Sequence, residues 1–174
     1  MGQFNEIAVK SLSDNIFQLL DDDWMLITAG KLSSFNTMTA SWGSFGILWQ
    51  KPTATIVIRP QRYTLQFVNE NDIFTLSFFA PGHKHILNFC GQHSGKNIDK
   101  VKETGLVPIE LPSGNISFSQ ARMVMECKKL YVDTIKPENF IQKDIAKRIY
   151  PLNDFHHLFI AEILHCYEIT ENFQ

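Results

Sequence analysis

The chain has 174 residues, 44% of them hydrophobic and 20% charged, with a formal net charge of −2. That is enough apolar material for one core, far from a disordered composition, and it predicts a single domain over residues 1–174. It excludes a general basic field that would hold nucleic acid or an anionic membrane. Fourteen Phe and three Trp are many for this length. Such an excess fits β-strands, a flat ring ligand or a large subunit contact.

The cysteines, Cys90, Cys127 and Cys166, are odd in number and far apart. This disfavours a disulfide framework or a zinc ribbon and suits reduced thiols in a cytoplasmic protein. The first residues, Met1 to Glu6, lack a basic region followed by an apolar one, so no signal peptide is expected. Glu6 stands where a myristoylation signal needs serine, and the apolar runs are too short to cross a bilayer.

In chain order, Trp24 to Ala29 predicts a strand closed by Gly30, with Asp21–Asp23 a solvated turn before it. Thr37 to Trp42 predicts a second strand, and Gly43 and Gly46 a loop. Thr53 to Ile58 is β-branched and ends at Pro60. Tyr63 to Asn69 reads as a short helix, Ile73 to Phe79 as a strand stopped by Pro81-Gly82, and His83 to Phe89 as a helix. Ile98 and Val101 repeat at helical spacing before Gly105. Ala121 to Val132 reads as a strand, Pro137 to Lys147 as a helical piece, and Leu158 to Tyr167 as a final strand. Short strands with inserted helices predict a closed or partly closed β-barrel rather than βαβ units.

Several chemistries are disfavoured. Gly43-Ser44-Phe45-Gly46 has the wrong spacing for a dinucleotide loop, and no phosphate loop or nucleophile elbow occurs. His83 and His85 would lie about 200° apart on a helix, and His156 and His157 are adjacent on or beside a strand. Neither pair suits one metal ion, and no metal site is expected.

The informative stretch runs from Asn36 to Lys100. It holds Asn36-Thr37-Met38-Thr39-Ala40-Ser41-Trp42, Lys51-Pro52, Arg59-Pro60-Gln61-Arg62-Tyr63-Thr64, Phe74–Phe79, and Cys90-Gly91-Gln92-His93-Ser94-Gly95-Lys96-Asn97-Ile98-Asp99-Lys100. Taken alone, Arg59 and Arg62 suit surface charges at a turn. Ser94-Gly95-Lys96 suits a plain turn, Thr39 and Ser41 solvent-facing strand positions, and Trp42 and Trp49 core or interface.

Together, and in this order, the pieces resemble the flavin reductase-like, FMN-binding split-barrel family, and its flavoredoxin group in particular. Asp154 to Ile163 resembles that family's last strand. The resemblance covers nearly the whole chain. It implies a mainly β fold, a six-stranded antiparallel split barrel with Greek-key-like connections and short outer helices. It also implies FMN as cofactor, NADH or NADPH as reductant, hydride transfer to the flavin, and a homodimer.

The residue chemistry agrees with that implication. Arg59 and Arg62 offer forked donors for a phosphate. Thr64 begins a helix, and Ser94, Gly95, Lys96 and Lys100 add a hydroxyl, a close backbone approach and cations. Tyr63 lies between them. Asn36, Thr37, Met38, Thr39, Ala40 and Ser41 offer hydrogen bonds to a ring edge, with Trp42 as a wall. His156 matches a family position near the flavin and is read as a nicotinamide or substrate contact, with a structural histidine as the alternative. Two other functions stay open: a flavoredoxin-type electron carrier without its own reductase activity, and a non-catalytic ligand-binding barrel.

Overall fold

Runs of β-branched and aromatic residues pair here as antiparallel strands. A computed structural model of the chain describes residues 3–170. Met1 and Gly2, part of the N-terminus read above for targeting signals, lie outside the described residues. The strands are β1 (Gln3–Glu6), β2 (Met25–Lys31), β3 (Ser34–Ala40), β4 (Gly43–Leu48) and β5 (Lys51–Ile58). After them come β6 (Ile73–Phe79), β7 (Pro108–Glu110), β8 (Ile116–Phe118), β9 (Ala121–Thr134) and β10 (His157–Thr170). The main sheet runs β3-β2-β6-β9-β10-β5-β4, with β1 added to β10. β7 and β8 form a separate ribbon. The helices are α1 (Ile16–Gln18), α2 (Thr64–Glu70), α3 (Lys84–Gln92), α4 (Lys100–Thr104) and α5 (Lys143–Ile149).

β9 and β10 form the spine. One half of β9, Ala121–Lys128, pairs with β6, while the first residues of β10, His157–Glu162, pair with β5. Register shifts at Ile160/Ala161 and Ile163/His165 bend the pair, since a bulge adds a residue to one strand and sharpens its twist. Alternate side chains then close on one core, including Ile27, Phe74, Phe78, Met125, Phe159 and Ile56. Leu26, Phe79, Val124 and Tyr167 face a second cluster under α3, with Leu87 and Cys90, and the β7–β8 ribbon, with Phe118. β2 is therefore covered on both faces, which is why its sequence does not alternate.

The mainly β split-barrel class is the one expected, but the strand count is higher. Gly43 and Gly46 do not form a loop. They lie in the edge strand β4, opposite Ile56 and Thr53. A Cβ on Gly43 would come within 2.4 Å of the Thr55 carbonyl oxygen, so glycine permits the close pairing. The β4–β5 turn uses Trp49 and Gln50 with φ of 51° and 61°. Two positive φ values are the geometry of a type I′ hairpin, normally signalled by Asn-Gly. Trp-Gln gives no such signal.

Other elements shift at their ends. Trp24 stays outside β2 with φ 65°. Ser41 and Trp42 leave β3, and the Pro137–Lys147 piece divides into a 3-10 turn (Pro137–Asn139) and α5. The phenylalanine excess is used mainly inside. Phe74, Phe78, Phe118 and Phe159 are fully buried, and Phe17 is the exposed one among the described phenylalanines. Among the described residues no helix is long and apolar enough to cross a membrane.

A buried polar patch pins the ribbon to the barrel. Glu126 of β9 accepts from Asn115 Nδ2 at 2.6 Å and from Ser113 Oγ. Thr75 donates to the Ile116 carbonyl at 2.6 Å, and Ser77 and Ser117 share a hydrogen bond of 2.9 Å. Asn115→Ala should leave the buried carboxyl short of a donor and cost about 1–3 kcal/mol of stability. The urea midpoint reads this, and an unchanged midpoint would remove Asn115 from the pin.

Candidate functional site

At the end of β3, residues Met38 to Trp42 form one wall of a groove of about 270 Å³. Val57 and Arg59 at the end of β5, then Arg62 and His156, complete it. Next to it lies a recess of about 150 Å³ lined by Asn36, Gln61–Thr64, Gln92–Gly95 and Lys100. Arg62 lines both, so the two are joined at its side chain.

Two cations, Arg62 and Lys100, line the recess. Lys100, only 5% exposed, donates from Nζ to the carbonyls of Thr37 at 2.7 Å and Cys90 at 3.0 Å. Its charge has no carboxylate among the residues lining the recess. Burial lowers its pKa to about 8, opposed by Cys90, with the nearby Arg62 pushing the same way as burial. Arg62 donates from Nη1 to the Gly91 carbonyl at 2.6 Å, and burial lowers its pKa too. Its Nη2 is buried with no hydrogen-bond partner among the described residues. A buried guanidinium nitrogen without an acceptor is costly and suits an oxyanion arriving there.

The surrounding backbone leaves little room for larger residues. A Cβ on Gly95 would meet Asn36 Oδ1 at 1.9 Å. Asn36 donates to the Thr64 hydroxyl at 2.7 Å, and Thr64 opens α2. The Lys96 amide donates to Ser94 Oγ at 3.3 Å. The loop between α3 and α4 thus sits directly against β3 and the start of α2.

The residues singled out in the sequence fall into three places. Asn36, Arg62, Tyr63, Thr64, Ser94, Gly95 and Lys100 meet in the recess. Met38, Thr39, Ala40, Ser41, Trp42, Arg59 and His156 meet in the groove. Lys96 faces neither. It lines a larger hollow of about 580 Å³ on the far side of Asn36 and Gly95, with Leu32–Thr37, Asn97–Val101 and Pro108. Thr37 belongs to that hollow, and its hydroxyl is shared with Thr28 at 2.9 Å.

Arg59 reaches the groove with its guanidinium already engaged. Nη1 pairs with Asp154, and Nη2 donates to the Ile149 carbonyl at 2.9 Å. Gln61 Nε2 donates to the same Asp154 carboxylate at 2.9 Å. Trp42 is 49% exposed and stands with its ring 5.4 Å from that of His156. His156 itself is buried, and Nδ1 shares a hydrogen bond of 2.8 Å with the Tyr150 hydroxyl. Burial first, then Arg59, lowers its pKa to about 4. At neutral pH it is an uncharged imidazole, unsuited to general acid–base work near pH 7. Gln61, Gln92 and His93 also line the recess, and the sequence alone gives them no role. Tyr150 carried no sequence signal, because its partner is identified only by the folded backbone. Among the described residues no group of three or more His, Cys, Asp or Glu is placed to hold a metal ion.

Three comparisons place this geometry among known proteins. The family model described as the flavin reductase like domain matches residues 22–174. A search of curated proteins finds no match. Among solved structures, the FMN-binding domain of a flavin reductases-like enzyme from Shewanella baltica superposes with a TM-score of 0.68 at 17% identity, covering 96% of this chain and 78% of that one. Flavoredoxin of Desulfovibrio vulgaris (Miyazaki F) gives 0.64 at 22% identity, covering 94% of this chain and 78% of that one. The NADH:FAD oxidoreductase of Streptomyces globisporus C-1027 gives 0.63 at 16% identity, covering 84% and 75%. At these identities the structural likeness establishes the fold, and the family match rests on the sequence of most of the chain. The chain belongs to the flavin reductase-like domain family.

Proposed function

We propose that the chain binds FMN across the recess and groove and acts as an NAD(P)H-dependent flavin reductase. The observation that carries this reading is the unpartnered Arg62 Nη2, buried in a recess that also holds Lys100, Thr64 and Ser94. A phosphate dianion supplies the acceptor this nitrogen lacks and the negative charge that the two cations need. The groove continuing from Arg62 along Met38–Trp42 suits the flat ring of the same ligand, with Trp42 as a wall. Solved relatives support the choice of ligand, since their descriptions name FMN, flavoredoxin and NADH:FAD oxidoreductase.

When bound, FMN would supply the hydride-transfer chemistry. The chain's own residues bind and orient. Arg62, Lys100, Thr64 and Ser94 hold the phosphate, and the Asn36–Ser41 segment offers backbone and side-chain hydrogen bonds along the ring edge. Trp42 limits access of water, and His156 contacts the nicotinamide or substrate. Arg59 keeps Asp154 and the loop bearing His156 against the end of β5. Lys96 contributes at longer range from the neighbouring hollow.

The purified protein with FMN should carry flavin absorbance and oxidise NADH or NADPH with added flavin or ferric iron as acceptor. Flavin bands without NAD(P)H oxidation would favour a flavoredoxin-type carrier. No flavin bands after FMN addition would leave a ligand-binding barrel.

Arg62→Ala removes a charged hydrogen bond, which contributes about 1.5–3 kcal/mol, so FMN should bind about tenfold or more weakly. Unchanged affinity in a fluorescence titration would remove Arg62 from the site. The same titration gives a pH test. Lys100 is charged below about 8 and loses its proton above it. FMN affinity should therefore fall as pH rises from about 7 to about 9, with proton uptake on binding at the alkaline end. Lys100→Met should weaken binding and flatten that dependence. Unchanged FMN affinity in Lys100→Met would exclude Lys100 as a phosphate contact.

The chain is also proposed to form a homodimer. Ile47, Leu48 and Trp49 at the β4–β5 turn, and Leu130, Tyr131 and Val132 on β9, are exposed apolar side chains of the kind that subunit contacts cover. Sedimentation across a dilution series, with flavin fluorescence on the same samples, should show FMN release as dimers dissociate. A stable monomer that retains FMN would refute a site shared between subunits.

A further inference from the structure

His156 is held from behind by a side chain that never reaches the groove. Tyr150 follows α5, is buried, and sits 2.8 Å from His156 Nδ1. Aromatic neighbours fix its ring: Phe140 at 6.1 Å between centroids and Phe155 at 4.6 Å. The Arg59 guanidinium lies 5.3 Å from the centre of the same ring. Arg59 also pairs with Asp154 and donates to the Ile149 carbonyl, so the chain on both sides of Tyr150 is fastened to the end of β5.

The direction of the Tyr150–His156 hydrogen bond follows from counting protons. Burial, offset in part by Arg59, raises the Tyr150 pKa, so its hydroxyl keeps its hydrogen. With its pKa near 4, His156 carries one ring N–H at neutral pH. Among the described residues neither the Tyr150 hydroxyl nor His156 Nε2 has another hydrogen-bond partner. If Nδ1 donated to the phenol, the phenol hydrogen would lack an acceptor in a buried site, which is the expensive arrangement. If the phenol donates to Nδ1, every buried donor is used. The remaining imidazole hydrogen then sits on Nε2, on a ring that lines the groove.

We propose that Tyr150 is a positioning residue that locks His156 as its Nε2–H tautomer, so that the groove presents a neutral hydrogen-bond donor to a carbonyl or amide oxygen of the bound substrate. The placement of substrate in the groove rests on the flavin reductase reading, where the nicotinamide carboxamide supplies such an oxygen. The tautomer does not depend on that reading. The second nitrogen's partner sets which nitrogen of a histidine bears the proton. A locked donor discriminates against substrates lacking an acceptor there, because the donor would then be left unpaired.

The test is ring ¹⁵N NMR of the full chain labelled at histidine, with the His156 signals assigned by their loss in His156→Gln. The parent should give a protonated Nε2 and an unprotonated Nδ1 that change little from about pH 8 down to about pH 5. Tyr150→Phe should give mixed tautomers. In steady-state assays the same variant should raise KM for NAD(P)H about threefold to tenfold while the FMN Kd stays unchanged. His156→Gln, which keeps an N–H donor, should hold KM closer to the parent than His156→Ala.

A parent spectrum with the proton on Nδ1, or identical spectra for parent and Tyr150→Phe, would overturn the lock. Matching KM values for His156→Gln, His156→Ala and the parent would overturn the donor role. If Tyr150→Phe fails to fold, the parent spectrum still decides the tautomer. Absence of NAD(P)H oxidation in the parent would sink the reductase reading while the spectra still decide the lock.

Discussion

The pairing of β9 with β10 is the contact on which the remaining architecture depends. Each strand has fourteen residues, which as a straight strand would run about 46 Å at about 3.3 Å per residue. The register shifts along β10 bend the ribbon instead, and give its two halves different neighbours. Toward one end β9 carries β6, β2 and β3. Toward the other β10 carries β5 and β4, and β1 pairs with the last residues of β10. One side of the bent sheet encloses the barrel core, and the other is covered by α3, α4 and the β7–β8 ribbon. The ends of β3 and β5 are thereby brought near each other, which sets the position of the groove.

The recess concentrates a cost that the rest of the fold must offset. Lys100 and Arg62 are drawn out of water and satisfied chiefly by the carbonyls of Thr37, Cys90 and Gly91. Carbonyl dipoles cancel only part of a full charge, so two like cations remain close together without a carboxylate among the recess lining. The lowered pKa of each reflects that desolvation. Such an arrangement is destabilising unless a negative group relieves it, and strain of this kind is characteristic of binding sites.

Arg59 and Arg62 show how little sequence proximity says about role. They stand three residues apart on either side of Pro60 and Gln61. Arg59 directly follows β5 and is paired with Asp154, where it holds the loop that carries Tyr150, Phe155 and His156. Arg62 falls in the turn before α2 and keeps one buried nitrogen without a hydrogen-bond partner among the described residues. One arginine organises the groove's far wall and the other supplies charge to the recess.

The sequence by itself determined the strands whose side chains report their burial locally. Ile73–Phe79 and the β-branched Thr53–Ile58 were legible at or close to their true limits, because apolar, branched and aromatic residues bury together on a pleated surface. Gly105 was legible as a helix stop because it takes the left-handed conformation, φ 69°. Neighbouring motifs from Asn36 to Lys100 were enough to point to one family.

The tertiary structure alone decided the rest. β4 stayed hidden because its turn residues, Trp49 and Gln50, adopt positive φ without the usual residue types, and its pairing is long-range information. β1 and the β7–β8 ribbon are only a few residues long. Lys96 and Lys100 look equivalent along the chain, yet Lys100, at the start of α4, is buried and lines the recess as well as the hollow, while Lys96 lines the hollow alone. Tyr150 became meaningful only when the loop after α5 folded onto β5, since a hydrogen bond between side chains leaves no pattern in the sequence that makes it.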